Sequence, residues 1–386
     1  MVLWASFTTP PPLALYCVRL FRQYVMRLES FLSLCLLWVL WIYFKALSDR
    51  VISPFAATFQ RHHPAKFSEI IGLEDAGKGL DDEESAQAVT ELGWRNLKTM
   101  RDGGMGLMRE EVWAWAGEAA GYCAVRGMRA SMEDRMSLVE DARGRLRLYA
   151  LYDGHGGTHA SDFAERHLLT ALYARLKQTT QEELRNADFL RAVLQEEIES
   201  LDQKILTAQV GIPLDGSTLL VAVVSGGDQL LTVAHVGDSR AVMCCRMDQQ
   251  SEQVTTDHKP NLEAEKERIE SAGGSVMWNG VWRVDGILAT SRALGDELLK
   301  ERGHVTATPD VISYHLKPSS NNGKRPRFLI LASDGLWDVV SNEEAAQLVK
   351  TQLTRRNSAF GAKNLVELAA SRLSTDNISA MVVKLQ

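Results

Sequence analysis

Three apolar runs in this chain each deliver a carboxylate at or just past their end: LRLYALYDG at Asp153, LLTVAHVGD at Asp238 and FLILASDG at Asp334. Such runs read as mostly buried strands, so the acid at each end stands at a sheet edge, neither lost in a core nor freely solvated. Asp-Gly alone is a common turn dipeptide and would carry no chemistry. What raises Asp153 is the Gly154-His155-Gly156-Gly157 that follows: the glycines let the backbone approach a ligand, and the Gly154 carbonyl is a potential cation donor. Glu133-Asp134 adds two acids, with Arg129 four residues before Glu133, and Asp376-Asn377 adds another. Several carboxylates converging without thiolates and with few histidines describe a hard-cation site, for Mg²⁺ or Mn²⁺ rather than zinc. Two such ions a few ångströms apart suit phosphoryl chemistry.

These residues need strands to carry them and helices to back the strands. Further strands are expected at 218–224 and 241–245. Helices are expected at 158–177 behind Thr158 as N-cap, at 262–272 stopped by Gly273-Gly274, and from a capping box at Ser341-Asn-Glu-Glu344. Strands and helices mix without regular βαβ alternation, which predicts an α+β fold with antiparallel sheets.

The bulk properties set the bounds. A length of 386 residues suits one large domain plus an addition, and 45% hydrophobic content supplies a sizeable core. A net charge of -6 argues against a nucleic-acid binder that relies on a basic surface. The five cysteines form no CxxC pair, so neither a zinc site nor a disulfide framework is suggested, and a reducing compartment fits.

The N-terminal part is different. Phe31 to Phe44 carries no charge and only Ser33 as a weakly polar residue; extended to 30–47 it nearly spans a hydrocarbon core, with Lys45 snorkelling. The run is apolar on every face, which favours a single-pass anchor over an interfacial helix, and no cleavage site follows to suggest a signal peptide. Orientation is poorly determined by the flanking arginines and lysines; the cysteine usage favours a cytosolic C-terminal part. Glu69 to Glu91 carries eight acidic residues against one basic and reads as a solvated tether. Residues 69–92 hold a charge of -7 and residues 93–386 only -4, so the chain's acidity lies mostly in the tether. The expected organisation is an N-terminal segment 1–29, a membrane helix 30–47, an acidic linker 48–111 and a catalytic domain 112–386.

Eight motifs in order resemble the metal-dependent, type-2C serine/threonine protein phosphatases: Arg129-x-x-Met-Glu-Asp134, Asp153-Gly-His-Gly-Gly157, Gly216-Ser-Thr218, Gly237-Asp-Ser-Arg240, Asp257-His-Lys-Pro260, Ser291-Arg-Ala-Leu-Gly-Asp296, Ala332-Ser-Asp-Gly335 and Asp376-Asn377. Phe21 to Tyr43 and Asn279 to Leu288 resemble a membrane-anchored branch of that family. The resemblance implies a sandwich of two antiparallel β-sheets flanked by α-helices, with two or three Mg²⁺ or Mn²⁺ ions at one sheet edge. It implies that Asp153 bridges two metals, that Glu133 and the Gly154 carbonyl complete one and Asp334 with Asp376 the other, and that Asp238 shares a weaker third with Asp334. Asp134 would hold Arg129 or a water.

The chemistry follows from those roles. Two divalent ions neutralise an anionic phosphomonoester and acidify a bridging water, so that hydroxide attacks in line. Arg129 would hold two phosphate oxygens, and His155 would protonate the departing alkoxide. Thr218 and Asn377 are expected to support neighbouring ligands, Asp296 and His258 to organise loops, and Asn279 to Asp296 to form part of a substrate-side flap. One departure is visible: Ser374-Thr-Asp-Asn lacks the glycine that such phosphatases commonly carry before the serine. The resemblance further implies a monomer acting on phosphorylated proteins, protein kinases among them, in stress-kinase signalling at the endoplasmic reticulum. Two alternatives stand beside it: a pseudophosphatase that binds phosphoproteins, and a two-metal hydrolase of small phosphoesters.

Overall fold

The computed structural model describes residues 89–93, 97, 99–101 and 111–385, apart from 142–143, 210, 213, 228, 246–250, 317–325 and 354–357. The expected membrane helix at 30–47 and the acidic run up to residue 88 lie outside the described residues. Among the described residues no helix is long and apolar enough to cross a membrane.

Two sheets make the sandwich. The first has six strands, from edge to edge Val89–Gly93, Arg135–Asp141, Leu146–Tyr152, Leu219–Ser225, Leu230–Val236 and Asp310–His315. The second has seven: Ser251–Gln253, Arg240–Cys245, Pro326–Ala332, Ile378–Lys384, Ala120–Val125, Glu111–Ala116 and Thr99–Arg101. Every pairing within the two is antiparallel, as the irregular alternation predicted. Val89–Gly93 pairs with Arg135–Asp141, and Thr99–Arg101 with Glu111–Ala116. Both edge strands lie inside the expected linker 48–111; Val89–Gly93 sits at the end of its acidic run, whose charge masked it.

Side-chain alternation then builds four layers. Tyr149 and Leu151 of one sheet meet Tyr122, Leu329, Leu331 and Met381 of the other between the sheets. Leu148, Ala150 and Tyr152 face the helices His159–Leu176 and Ala187–Ala208. Phe328, Ile330 and Ala332 face Asn342–Leu353 and Ser358–Ser371 on the far side. Both faces of the central strands are therefore buried, which is why they read as continuous apolar runs.

Local signals held unevenly. The Ser341 box is present: the Glu344 amide donates to Ser341 Oγ and the Ser341 amide to Glu344 Oε2. Thr158 makes no side-chain cap. Instead the carboxylate of Asp215 accepts from the amides of His159 and Ala160, at 3.0 and 2.8 Å, so a distant loop caps that helix.

Candidate active site

The strand-end acids gather at one end of the sandwich. Arg135 pairs with Tyr152, placing Asp134 and Asp153 at neighbouring strand ends. Ala332 pairs with both Ala380 and Arg240, placing Asp334, Asp376 and Asp238 at the ends of adjoining strands in the second sheet. The turn Gly237–Ser239 crosses from one sheet to the other and carries Asp238. Ser333 Oγ donates to Asp134 Oδ2 across the two sheets at 3.1 Å.

Several ligand candidates are held from behind. Thr218 Oγ1 accepts from the Asp153 amide at 3.2 Å and bonds Ser239 Oγ at 2.7 Å. Asn377 Oδ1 accepts from the Glu133 amide at 2.7 Å, while its Nδ2 donates to the carbonyls of Arg126 and Ser131. The Glu133 carboxylate accepts from Ser131 Oγ at 2.7 Å. Gly154 follows Asp153 into a short strand paired with Gly216–Ser217; a Cβ there would collide with the Glu133 carbonyl and Ser161 Oγ. Gly335 approaches the Asn377 backbone so closely that no Cβ fits between them.

The electrostatics are those of crowded acids. Burial pushes the Asp153 carboxyl well above the carboxylate range, and the charges of Asp134, Asp334, Asp376 and Asp238 push it further. Asp334 is raised in the same way, by burial and then by Asp238 and Asp338, against Lys259. Burial lifts fully enclosed Asp134 to about 6, with Asp376 adding to the rise and the hydroxyls of Ser379 and Ser333 opposing it. Asp134 Oδ1 has no hydrogen-bond partner. A buried, orphaned carboxylate oxygen among mutually repelling oxygen donors fits hard divalent cations.

Two cations of the chain already answer that charge. Arg129, 58% exposed, places Nη2 at 2.5 Å from Asp376 Oδ2. Lys259 Nζ donates to Asp238 Oδ2 at 2.6 Å. Burial works against the Lys259 charge, but Asp238 and Asp334 outweigh it and hold the ammonium above its usual range. Neither Lys259, inside the Asp257-His-Lys-Pro260 motif, nor Asp338, whose charge raises Asp334, has a sequence pattern of its own that signals a place in this cluster.

His155 faces a partner expected only to organise a loop. Its Nε2 lies 2.7 Å from Oδ2 of Asp296, which is 1% exposed. Burial opposes charging the imidazole, yet Asp296 more than offsets it, so the histidine stays protonated to higher pH than usual.

Among the described residues another group could gather a metal by proximity: His235, His258 and Asp310. The two imidazoles are stacked, with ring centroids 4.4 Å apart and planes 4° from parallel. A metal bond to imidazole lies in the ring plane at about 2.0–2.1 Å, and one ion cannot lie in two stacked planes. We read this group as a hydrogen-bonded network.

The Protein phosphatase 2C family profile matches residues 118–378. Protein phosphatase 1L from Bos taurus is 33% identical over 370 residues, covering 95% of this chain and 94% of its own. Probable protein phosphatase 2C 59 from Oryza sativa subsp. japonica is 41% identical over 266 residues, covering 68% and 75%. The crystal structure of serine-threonine phosphatase 2C from Toxoplasma gondii superposes with a TM-score of 0.60 at 23% identity, covering 77% of this chain and 99% of that one, which is a likeness of fold.

Proposed function

This chain belongs to the protein phosphatase 2C family of serine/threonine protein phosphatases, and from that premise we propose that it hydrolyses phosphoserine and phosphothreonine in proteins with Mg²⁺ or Mn²⁺ at its carboxylate cluster. The observation that carries this reading is the gathering of buried Asp134 and Asp238 with half-buried Asp153 and Asp334, whose carboxyls are raised by desolvation and by the neighbouring acids, with one Asp134 oxygen left unpartnered. Glu133, Asp153, the Gly154 carbonyl, Asp334 and Asp376 would hold two ions, and Asp238 with Asp334 a third. When bound, such ions supply positive charge that offsets the phosphate dianion and acidifies water near neutral pH.

The chain's own groups do the rest. Arg129 is exposed enough to turn its guanidinium fork from Asp376 to two phosphate oxygens, fixing the phosphorus for in-line attack. His155 Nε2 is committed to Asp296, which leaves Nδ1 to carry a proton to the departing seryl or threonyl oxygen. Without that proton the alkoxide is a very poor leaving group.

Membrane tethering is part of the proposal, supported by the uncharged run Phe31 to Phe44 and by the resemblance of Phe21 to Tyr43 to a membrane-anchored branch of the family. Endoplasmic reticulum residence, a monomeric state, a cytosolic catalytic domain and stress-kinase substrates rest on the resemblance. Extraction of the full chain by alkaline carbonate would refute the spanning anchor. The activity is tested by offering the full chain a phosphothreonine peptide, a nucleotide and a sugar phosphate with Mn²⁺. The proposal expects peptide hydrolysis that Asp334→Ala abolishes; preference for the small esters, or equal rates in the variant, would overturn it.

A further inference from the structure

A line of polar groups runs from the helix Glu263–Ser271 to the turn that carries Asp238. Glu265 Oε1 accepts from Arg292 Nε and Nη2, at 2.9 and 2.5 Å. Arg292 Nη1 donates to Asp310 Oδ1 at 2.9 Å, and Asp310 Oδ2 lies 3.2 Å from His258 Nε2. His258 Nδ1 accepts from the Gly237 amide at 3.0 Å, and the His258 amide donates to the Gly237 carbonyl at 3.0 Å. Accepting at Nδ1 leaves the neutral ring's one proton on Nε2, aimed at Asp310.

Every polar group of His258 is thus in use. Its carbonyl accepts from the Ser291 amide, Ser291 Oγ and Thr290 Oγ1. The residue is 2% exposed, and its ring is stacked on that of His235. Gly237 has φ +106°, a conformation open to glycine and avoided by side-chain-bearing residues; with no Cβ to restrict it, this peptide is oriented by its hydrogen bonds to His258. Lys259, the next residue, reaches the Asp238 carboxylate itself.

We infer that His258 is a positioning residue that fixes the Gly237–Asp238 peptide through Nδ1 and thereby sets the affinity of Asp238 for its divalent ion. This rests on the reading of Asp238 as an ion-holding residue. Asp310 fixes the ring from the other side and Arg292 fixes Asp310, so helix Glu263–Ser271 is tied to the turn without touching the ions. Groups that orient ligands from behind typically change metal affinity by about 10–100-fold when lost.

Asparagine and glutamine separate this role from simple core filling. Asn Oδ1 falls where Nδ1 lies and can accept from Gly237; the Gln amide reaches toward the Nε2 position and keeps only the Asp310 partner. The test is Mn²⁺ titration calorimetry on the full chain, with thermal melting of the metal-free protein alongside. Asp238→Asn first identifies the binding step that depends on Asp238; if the wild-type chain has no such step, the reading of the site falls. With that step present, His258→Asn, which keeps the Gly237 contact but loses Asp310, is expected to weaken it by only about threefold, and His258→Gln, which loses the Gly237 contact, by about tenfold or more. Asp310→Ala, which leaves the Gly237 contact but frees the ring, is expected to weaken the same step and serves if the glutamine variant does not fold. Unchanged Mn²⁺ affinity in the glutamine or Asp310 variant would overturn the inference, as would equal loss in the asparagine and glutamine variants.

Discussion

His155 Nε2 and Asp296 Oδ2 stand 2.7 Å apart although 141 positions separate the residues in the chain. Asp296 adopts φ +53° and is almost wholly buried, so the chain accepts an unfavourable backbone conformation to place that carboxylate. The pairing ties the end of the short strand Leu294–Gly295 to the short strand Gly154–His155, and it orients the imidazole.

A proton donor matters only when the leaving group needs a proton. Asp296→Asn should therefore lower kcat on a phosphothreonine peptide by about 10²-fold or more, with much less effect on a nitrophenyl phosphate. Comparing the two substrates at saturating Mn²⁺ checks this; equal losses would point to general damage.

Gly216 packs against that pair, and a Cβ there would press into both Asp296 Oδ2 and His155 Nε2. Gly216→Ala should reproduce the leaving-group signature of Asp296→Asn. A variant that hydrolyses both substrates like wild type would show that the pair can shift at no cost.

The proposed ion site implies that the carboxylate cluster trades stability for ion binding. Asp334→Asn removes one repelling charge, so the metal-free variant should melt above wild type, by about 2–4 °C for each kcal/mol of repulsion relieved. It should also lose most of the stabilisation by Mn²⁺, which for one ion at 100 times Kd is about 2.7 kcal/mol. Thermal melts with Mn²⁺ and with chelator read both effects.

Acid should weaken the fold through His235. Burial, helped by neighbouring His258, lowers its pKa to about 4 from an ordinary 6.5. Between those values the unfolded chain binds a proton that the folded chain refuses, so stability falls as pH drops from 6.5 to about 4 and this contribution levels off below. A shift of that size corresponds to roughly 3 kcal/mol at its limit. His235→Gln, whose amide can still donate to the Thr256 carbonyl that His235 now meets, should flatten the urea-midpoint profile across that window.

Much of the site was legible because its acids sit at strand ends, where apolar runs stop. Asp153, Asp238 and Asp334 could be picked out that way, and the Ser341 capping box is a purely local signal. What escaped was tertiary. Asp215 caps a helix that begins 56 residues earlier, Lys259 reaches Asp238 across 21 residues, and Asp296 finds His155 only once three short strands are paired. None of these pairs has a spacing that local periodicity could show. The edge strand Val89–Gly93 was hidden differently, by an acidic context that read as tether.

The proposed role of the acids gathered at one end of the sandwich is to hold the divalent ions that phosphoester hydrolysis needs. It is tested most directly by stripping the full chain with chelator and measuring phosphothreonine-peptide hydrolysis as Mn²⁺ is added back. No hydrolysis is expected in chelator, and the rate should climb with Mn²⁺ to saturation. An undiminished rate in chelator would contradict it.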